Sequence, residues 1–265
     1  MTGKRLLIIV TACAVLAAGV AVAALPARGS DQDSVTQDAL AKTGSIDCFK
    51  TFASGTGGSY FAWCYSTYGN IVRFESPAGV EHIRVGTFME GYAVCANGGT
   101  DGWDNGNSGG GFNAPTYPAA NTVQLTTTNG HFRLNMTFSQ STKDKSVTVA
   151  MRLTNLTSST LSGVRLSRFA DLDINGTPAS DRWDVSRASV VALETNGMAL
   201  SGTSPSATKT VTVESFGDLL NDTDCSATTP LATPFAGDGA ARVTYEMGAL
   251  VAGQSKTQTF RYQLL

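Results

Sequence analysis

The acidic segment 171–176, Asp-Leu-Asp-Ile-Asn-Gly, is the densest group of oxygen ligands in the chain. It matches the first half of a D-x-[DN]-x-[DN]-G calcium loop, in which a turn brings alternate oxygen ligands to one hard cation. The twelfth position of such a loop requires Glu, and this chain has Arg182 there. The segment therefore predicts an incomplete calcium site at Asp171, Asp173 and Asn175.

The same segment has a second interpretation. Asp181 or Asp184 could complete a calcium site of another kind, but Asp171 and Asp173 could equally lie on the outward face of a strand that ends in an Asn-Gly turn. Two carboxylates on one strand face lie only about 7 Å apart and repel unless they are solvated, paired with arginine or bound to a cation. We expect no cofactor, with calcium as the one alternative.

A glycine-rich segment, 97–111, is the second candidate for chemistry. It carries Trp103 between Asp101 and Asp104, with Asn105 following. In a long loop, an indole can stack on a sugar ring while carboxylates and amides bind its hydroxyl groups. We predict a glycan contact at these four residues. The alternative is a connecting loop whose Trp103 folds back as a lid on the core.

An enzyme is the competing possibility, with its acid and base drawn from Glu75, Glu90, Asp171 and Asp173. A glycosidase needs two carboxyl groups about 5–10 Å apart on either side of the scissile bond. A polysaccharide lyase would instead abstract a proton with Tyr, His, Lys or Arg. Spacing along the chain brings no such pair together, so catalytic residues stay unassigned.

The elements that position these residues are predicted to be strands. From Ile46 onward the apolar segments are short and alternate with polar residues, and Gly, Asn, Asp, Ser and Pro separate them. No segment carries a helical stripe over ten or more residues. This pattern predicts an all-β fold with two packed antiparallel sheets, a large β-sandwich.

The clearest alternation runs through residues 145–176, which read as two long strands joined by a polar turn. Residues 147, 149, 151 and 153 put one apolar face on the first strand, and residues 164, 166, 170, 172 and 174 do so on the second. Arg168 interrupts the inward face and Phe169 interrupts the outward face. Because a buried guanidinium needs a partner, we expect Arg168 to pair with a carboxylate at the sheet edge.

The turn at 153–164, Leu-Thr-Asn-x-Thr-Ser-Ser-x-Leu-x-Gly-Val, and the closing segment 250–257, Leu-x-Ala-Gly-Gln-Ser-Lys-Thr, resemble those of bacterial β-sandwich domains. Immunoglobulin-like members are shorter between these two marks. The size and number of strands resemble the supersandwich of galactose-mutarotase-like domains. The resemblance covers about half of the chain and implies a fold, without identifying site residues.

The first 27 residues have the pattern of a bacterial signal peptide. Lys4 and Arg5 precede an apolar run from Leu6 to Ala24, and small residues suited to cleavage lie at 23–27. We expect a linker at 28–45 and one β-sandwich domain at 46–265. The chain is then secreted, extracellular or part of the cell envelope, with an uncleaved N-terminal membrane anchor as the alternative.

Charge and composition exclude one class of partner. The chain has a net charge of −2, and 15% of its residues are charged. Nucleic-acid binding needs a concentrated basic face, so we predict no nucleic-acid partner. No apolar run beyond the signal segment reaches membrane length, and the oligomeric state is left open.

The cysteines support an exported protein. Cys13 belongs to the signal segment, which leaves Cys48, Cys64, Cys95 and Cys225. An even number in an exported chain predicts two disulfides rather than a metal site, because no C-x-x-C pair is present. Of the three possible pairings we favour Cys48–Cys64 with Cys95–Cys225.

Together these features predict an exported β-sandwich that binds an extracellular glycan without catalysis. A carbohydrate-active enzyme on the same scaffold is the first alternative. A structural envelope or adhesion protein, stabilised by disulfides and calcium, is the second.

Overall fold

The computed structural model describes residues 47–83, 88–177, 181–205, 207–219, 224–227 and 229–265. The predicted signal segment and linker lie outside this part. Within it, no helix is long and apolar enough to cross a membrane.

The regular elements of the described chain are almost all strands. In chain order they are β1 (Lys50–Ser54), β2 (Phe61–Tyr65), β3 (Ile71–Glu75), β4 (Glu90–Ala96), β5 (Gly99–Asn105), β6 (Thr116–Ala119), β7 (Thr122–Thr126), β8 (Phe132–Ser141), β9 (Ser146–Asn155), β10 (Leu161–Asp171), β11 (Arg182–Val185), β12 (Ser189–Leu193), β13 (Gly197–Gly202), β14 (Thr208–Ser215), β15 (Phe235–Ala236), β16 (Gly239–Leu250) and β17 (Ser255–Leu264). One short helix, α1 (Phe216–Leu219), and two 3₁₀ turns, Gly57–Ser59 and Ile174–Gly176, complete the described elements.

The strands form three antiparallel sheets. A five-stranded sheet has the order β14-β16-β10-β4-β5, and a nine-stranded sheet has the order β15-β11-β12-β13-β17-β9-β8-β7-β6. The inward apolar residues of both sheets share one core, which confirms the all-β sandwich. The prediction of two sheets is incomplete, because β1-β2-β3 form a small third sheet whose Trp63 and Tyr65 join the same core.

The predicted strand faces are confirmed in β9 and β10. Val147, Val149, Met151 and Leu153 are fully buried in the core, and the last three lie opposite apolar residues of β8. Phe169 lies on the outer face of β10, where it packs with Phe216 and Leu219 of α1. An apolar residue on the outward face is therefore explained by a second, smaller cluster beneath α1.

Both predicted disulfides are present. Cys48 is bonded to Cys64, and Cys95 is bonded to Cys225 across 130 residues of sequence. The second bond ties the segment around residues 224–227 to β4, on the outer face of the five-stranded sheet. Two disulfides fit a protein that matures in an oxidising environment.

The prediction of a long loop at 97–111 is wrong in its first half, where β5 pairs with β4. Gly102, one of the glycines that suggested a loop, serves close packing instead. A Cβ on Gly102 would lie 2.9 Å from the ring of Phe112, so only glycine lets that ring cover the strand.

Candidate functional site

Trp103 is held on the outer face of the five-stranded sheet. It lies across from Ala93 on β4 and packs against the Cys95–Cys225 disulfide, half-buried. Its backbone N–H donates to the carbonyl of Gly110 at 2.8 Å. A Cβ on Gly110 would lie 2.6 Å from the indole, so the 106–111 turn lies directly against this ring. Part of the indole surface remains open to solvent.

Asp104 points the opposite way, because neighbouring residues of a strand face opposite sides of a sheet. It is fully buried, and its carboxylate accepts hydrogen bonds from the backbone of Ser108 and Gly109, both at 3.1 Å, and from Asn70 Nδ2 at 3.3 Å. Burial raises the pKa of Asp104 to about 6. Asp104 therefore anchors the turn after β5 from inside the core, where no external glycan reaches.

Asp101 and Asn105 also have local roles. Asp101 Oδ1 accepts from Asn129 Nδ2 at 2.6 Å and contacts His131 Nδ1 at 2.5 Å, which ties the start of β5 to the β7–β8 turn. Asn105 is half-buried at the end of β5. The four residues predicted to bind a glycan are thus close in sequence, but the structure does not make them converge on one surface.

The acidic segment after β10 is buried rather than exposed. Asp171 is 4% exposed and Asp173 is 1% exposed. Burial raises the pKa of Asp171 well above its ordinary value, and the nearby carboxylates of Asp173, Asp238 and Asp181 raise it further. The expectation that the two strand carboxylates face solvent is therefore wrong.

Asn175 turns away from this acidic group. It has a positive φ of 57°, a conformation that asparagine tolerates better than most residues. Its amide nitrogen donates to Glu194 Oε2 at 3.1 Å, and its amide oxygen accepts from Asn196 Nδ2 at 3.0 Å. The Asn175 side chain thereby supports the turn between β12 and β13.

A metal site requires several His, Cys, Asp or Glu side chains that converge on one point. Among the described residues, the one group of three whose ligand atoms lie within 4.8 Å of each other is Cys95, Asp224 and Cys225. Because its two sulfur atoms form a disulfide, that group does not supply thiolate ligands. Calcium binding at Asp171, Asp173 and Asn175 stays a prediction.

The carboxylates considered for catalysis have structural partners. Glu90 is fully buried between the two large sheets, where its carboxylate contacts Arg168 Nη2 at 2.7 Å and accepts from Tyr262 OH at 2.5 Å and Ile71 N at 2.9 Å. Burial raises the pKa of Glu90 to about 7. Arg168 is thus paired as expected, but with a carboxylate in the middle of the core and not at the sheet edge.

Glu75 lies at the end of β3 and is 8% exposed. It accepts hydrogen bonds from Arg73 Nε at 2.7 Å and from the backbone N–H of Gly79 at 2.6 Å. These contacts hold the turn that follows β3. A glycosidic bond cannot reach the carboxylate of Glu90, and the carboxylate of Glu75 is already hydrogen-bonded to Arg73 and Gly79.

A cavity of about 440 Å³ lies beside His82, Lys143 and Asn196. His82 Nδ1 accepts from the backbone N–H of Asn175 at 3.2 Å, so its Nε2 donates to the carbonyl of Ser76 at 2.9 Å. Burial lowers the pKa of His82, which keeps the ring neutral. With both nitrogens bonded to the backbone, this histidine positions a turn and has no free nitrogen for proton transfer.

The outer face of the nine-stranded sheet is almost uniformly polar across four neighbouring strands. Every second residue from 122 to 126, 133 to 141, 146 to 154 and 255 to 263, on β7, β8, β9 and β17, faces away from the core. We call this surface the polar face. Apart from Ala150, these residues are Thr, Ser, Asn, Gln or Arg.

The polar face is continuous because the four strands are neighbours in register. Gln124 lies opposite Asn135, Asn135 opposite Arg152, and Arg152 opposite Thr257, which makes one row across four strands. Neighbouring strands lie about 4.8 Å apart, so such a row spans roughly 14 Å. The sequence signal for this face is the alternation of polar and apolar residues along each strand, in which the polar residues point outward.

Comparisons with known proteins identify a shared fold. No protein-family model matches the chain, and no curated protein matches its sequence. Among solved structures, a bacterial glucoamylase complexed with acarbose is similar over 83% of this chain and 32% of its own, with 10% identity and a TM-score of 0.58. The chain therefore spans about a third of that enzyme.

Two further solved structures are less similar. A polysaccharide lyase matches 80% of this chain and 33% of its own length at 11% identity, with a TM-score of 0.46. A galactose mutarotase-related enzyme from Lactobacillus acidophilus matches 82% of this chain and 97% of its own at 8% identity, with a TM-score of 0.40. The glucoamylase shares the fold, in keeping with the predicted resemblance to large bacterial β-sandwich domains, and that likeness concerns the fold alone.

Proposed function

We propose that this protein is an exported, non-catalytic module that binds an extracellular glycan on the polar face. The observation that carries the proposal is the row of hydroxyl, amide and guanidinium groups across β7, β8, β9 and β17. A glycan presents many hydroxyl groups, each a donor and an acceptor, and the same side-chain types complement them. The shared fold with a glucoamylase is compatible with this proposal and does not by itself establish it.

The positions of the acidic groups support a non-catalytic role. Glu90, Asp104, Asp171 and Asp173 are all buried, and none of them belongs to the polar face. Hydrolysis needs two carboxyl groups that both reach the scissile bond. A ligand lying across the polar face contacts hydrogen-bonding groups, but no pair of carboxyl groups that could act as acid and base.

Trp103 is a second candidate for contact, because part of its indole remains exposed on the opposite large sheet. Trp103→Phe keeps a flat ring there but makes it smaller, so glycan affinity should fall if Trp103 carries binding. Binding on the polar face predicts instead that Trp103→Phe leaves glycan affinity unchanged.

The experiment is a screen of the protein against immobilised polysaccharides by affinity electrophoresis. We expect Thr137→Ala with Thr257→Ala, both exposed on the polar face, to weaken retardation by about fivefold to tenfold, as two lost hydrogen bonds imply. The matched control is Thr208→Ala with Thr210→Ala, two exposed threonines on the other large sheet. Retardation that both pairs reduce equally contradicts the polar face, and release of sugar products by the wild type contradicts the absence of catalysis.

A further inference from the structure

The charge on the polar face narrows the class of ligand. Arg133, Arg152 and Arg261 all lie on it, whereas none of the described outward residues of these four strands is Asp or Glu. The chain as a whole has a net charge of −2, so the charge of this face is opposite in sign to that of the whole chain. A surface that excludes carboxylates while it holds arginines is complementary to an anion.

We assign the contact with an anion to two of the three arginines. Arg261 Nη2 lies 3.2 Å from Asp144 Oδ2 at the rim, which partly neutralises it. Arg133 lies opposite Thr154 on β9, and Arg152 lies opposite Asn135 on β8, so the two arginines are diagonal neighbours on adjacent strands. Such neighbours lie about 7–8 Å apart at their Cα atoms.

The two side chains have donors to offer a ligand. Arg152 is exposed, and its Nη2 donates to the hydroxyl of Ser255 at 3.2 Å, which aims the guanidinium along the face. Arg133 is half-buried, and its Nε is shielded from solvent, so a ligand would contact the Nη end of its guanidinium. Guanidinium groups present paired N–H donors that match the two oxygens of a carboxylate or a sulfate.

Resting on the glycan binding proposed above, we infer that the ligand is an acidic polysaccharide whose carboxylate or sulfate groups bind Arg133 and Arg152. Hydroxyl and amide side chains on either side bind the sugar hydroxyls. The arginines thereby select a charged glycan over a neutral one of the same backbone.

The test uses pairs of probes that differ only in charge. Polygalacturonate is compared with its fully methyl-esterified form, and dextran sulfate is compared with dextran, by titration calorimetry at low and at moderate salt. We expect the acidic member of at least one pair to bind at least tenfold more tightly, and the difference to shrink as salt screens the charges. The pair that shows the difference identifies uronate or sulfate as the bound group.

Variants assign this selectivity to the two arginines. Arg133→Gln and Arg152→Gln are each expected to weaken binding of the acidic probe about tenfold, while Arg187→Gln, an exposed arginine in the turn after β11, leaves it unchanged. Circular dichroism spectra identical to the wild type show that the variants fold, and Arg152→Lys, which retains the charge, restores part of the affinity.

The outcomes separate this inference from the function on which it rests. Binding of none of the four polysaccharides, nor of any in the wider screen, overturns both. Equal binding of the acidic and neutral members, unaffected by the arginine variants, overturns the acidic ligand and leaves glycan binding standing. Arginine-dependent binding of polyglutamate as tight as that of the acidic polysaccharides overturns recognition of a glycan in favour of general polyanion binding.

Discussion

Arg168 and Glu90 form an ion pair of 2.7 Å in which both side chains are fully buried. Arg168 lies on β10 and Glu90 on β4 of the five-stranded sheet, and both contact the hydroxyl of Tyr262 on β17 of the nine-stranded sheet. The Arg168 guanidinium also donates to the carbonyl of Gly69 at 3.1 Å. This polar group therefore links the two large sheets through the centre of a largely apolar core.

Replacing Arg168 should be far more costly than replacing its outward neighbour. Arg168→Met leaves the Glu90 carboxylate buried without its cation, and loss of one partner of a buried pair costs about 3–5 kcal/mol. Arg165→Met, on the same strand but beside the half-exposed Asp224, should cost less than about 1 kcal/mol. Urea unfolding of both variants measures the difference, and similar losses would show that the buried pair contributes little.

Stability should increase as the pH falls from 8 to 5. Burial raises the pKa of Glu90 to about 7 and that of Asp104 to about 6, from ordinary values of 4.5 and 3.8. Because both are raised, the folded protein binds protons more tightly than the unfolded chain, and this stabilisation is lost as the pH rises through 6 to 7. Each group contributes on the order of 1.4 kcal/mol per pKa unit.

Urea unfolding at several pH values checks this dependence. Asp104→Asn removes one titrating group while its amide oxygen can still accept from the 106–111 turn, so its profile should be flatter than that of the wild type. A wild type that is less stable at pH 5 than at pH 8 would contradict the assignment.

The two disulfides should differ in their contributions to stability. Cys95–Cys225 closes a loop of 130 residues and Cys48–Cys64 one of 16. Loop-closure entropy predicts losses of about 4–5 and about 3 kcal/mol respectively for the paired Cys→Ala variants. The free energy of unfolding of each paired variant measures this, and a larger loss for Cys48–Cys64 would mean that loop entropy does not set the order.

A chelator should leave the thermal unfolding midpoint unchanged, because the Asn175 amide is held by Glu194 and Asn196 and is not directed at a cation. In the same buffer, Asp171→Asn should raise the midpoint, since it replaces a carboxyl group whose ionisation is opposed by burial and by neighbouring carboxylates. A midpoint that falls on chelation, together with destabilisation by Asp171→Asn, would establish the calcium site and contradict both expectations.

Trp103 and Asp104 show where the prediction from sequence reached its limit. Their adjacency suggested a common site, and the surrounding glycines suggested a loop. Pairing of β5 with β4 instead sends the two side chains to opposite faces. The sequence alone does not distinguish a glycine that allows close packing, as Gly102 does against Phe112, from a glycine in a flexible loop.

By itself, the sequence determined the all-β class, the inward faces of β9 and β10 and the need for a partner at Arg168, and it left three disulfide pairings open. These features depend on local alternation and on residue type, which a strand expresses wherever it lies. Only the tertiary structure decided that Glu90 is the partner of Arg168, that Asp171 and Asp173 are buried, and that Arg133 and Arg152 share a face without carboxylates. Those relationships join residues from separate strands, and strand order and register, which local pattern does not encode, bring them together.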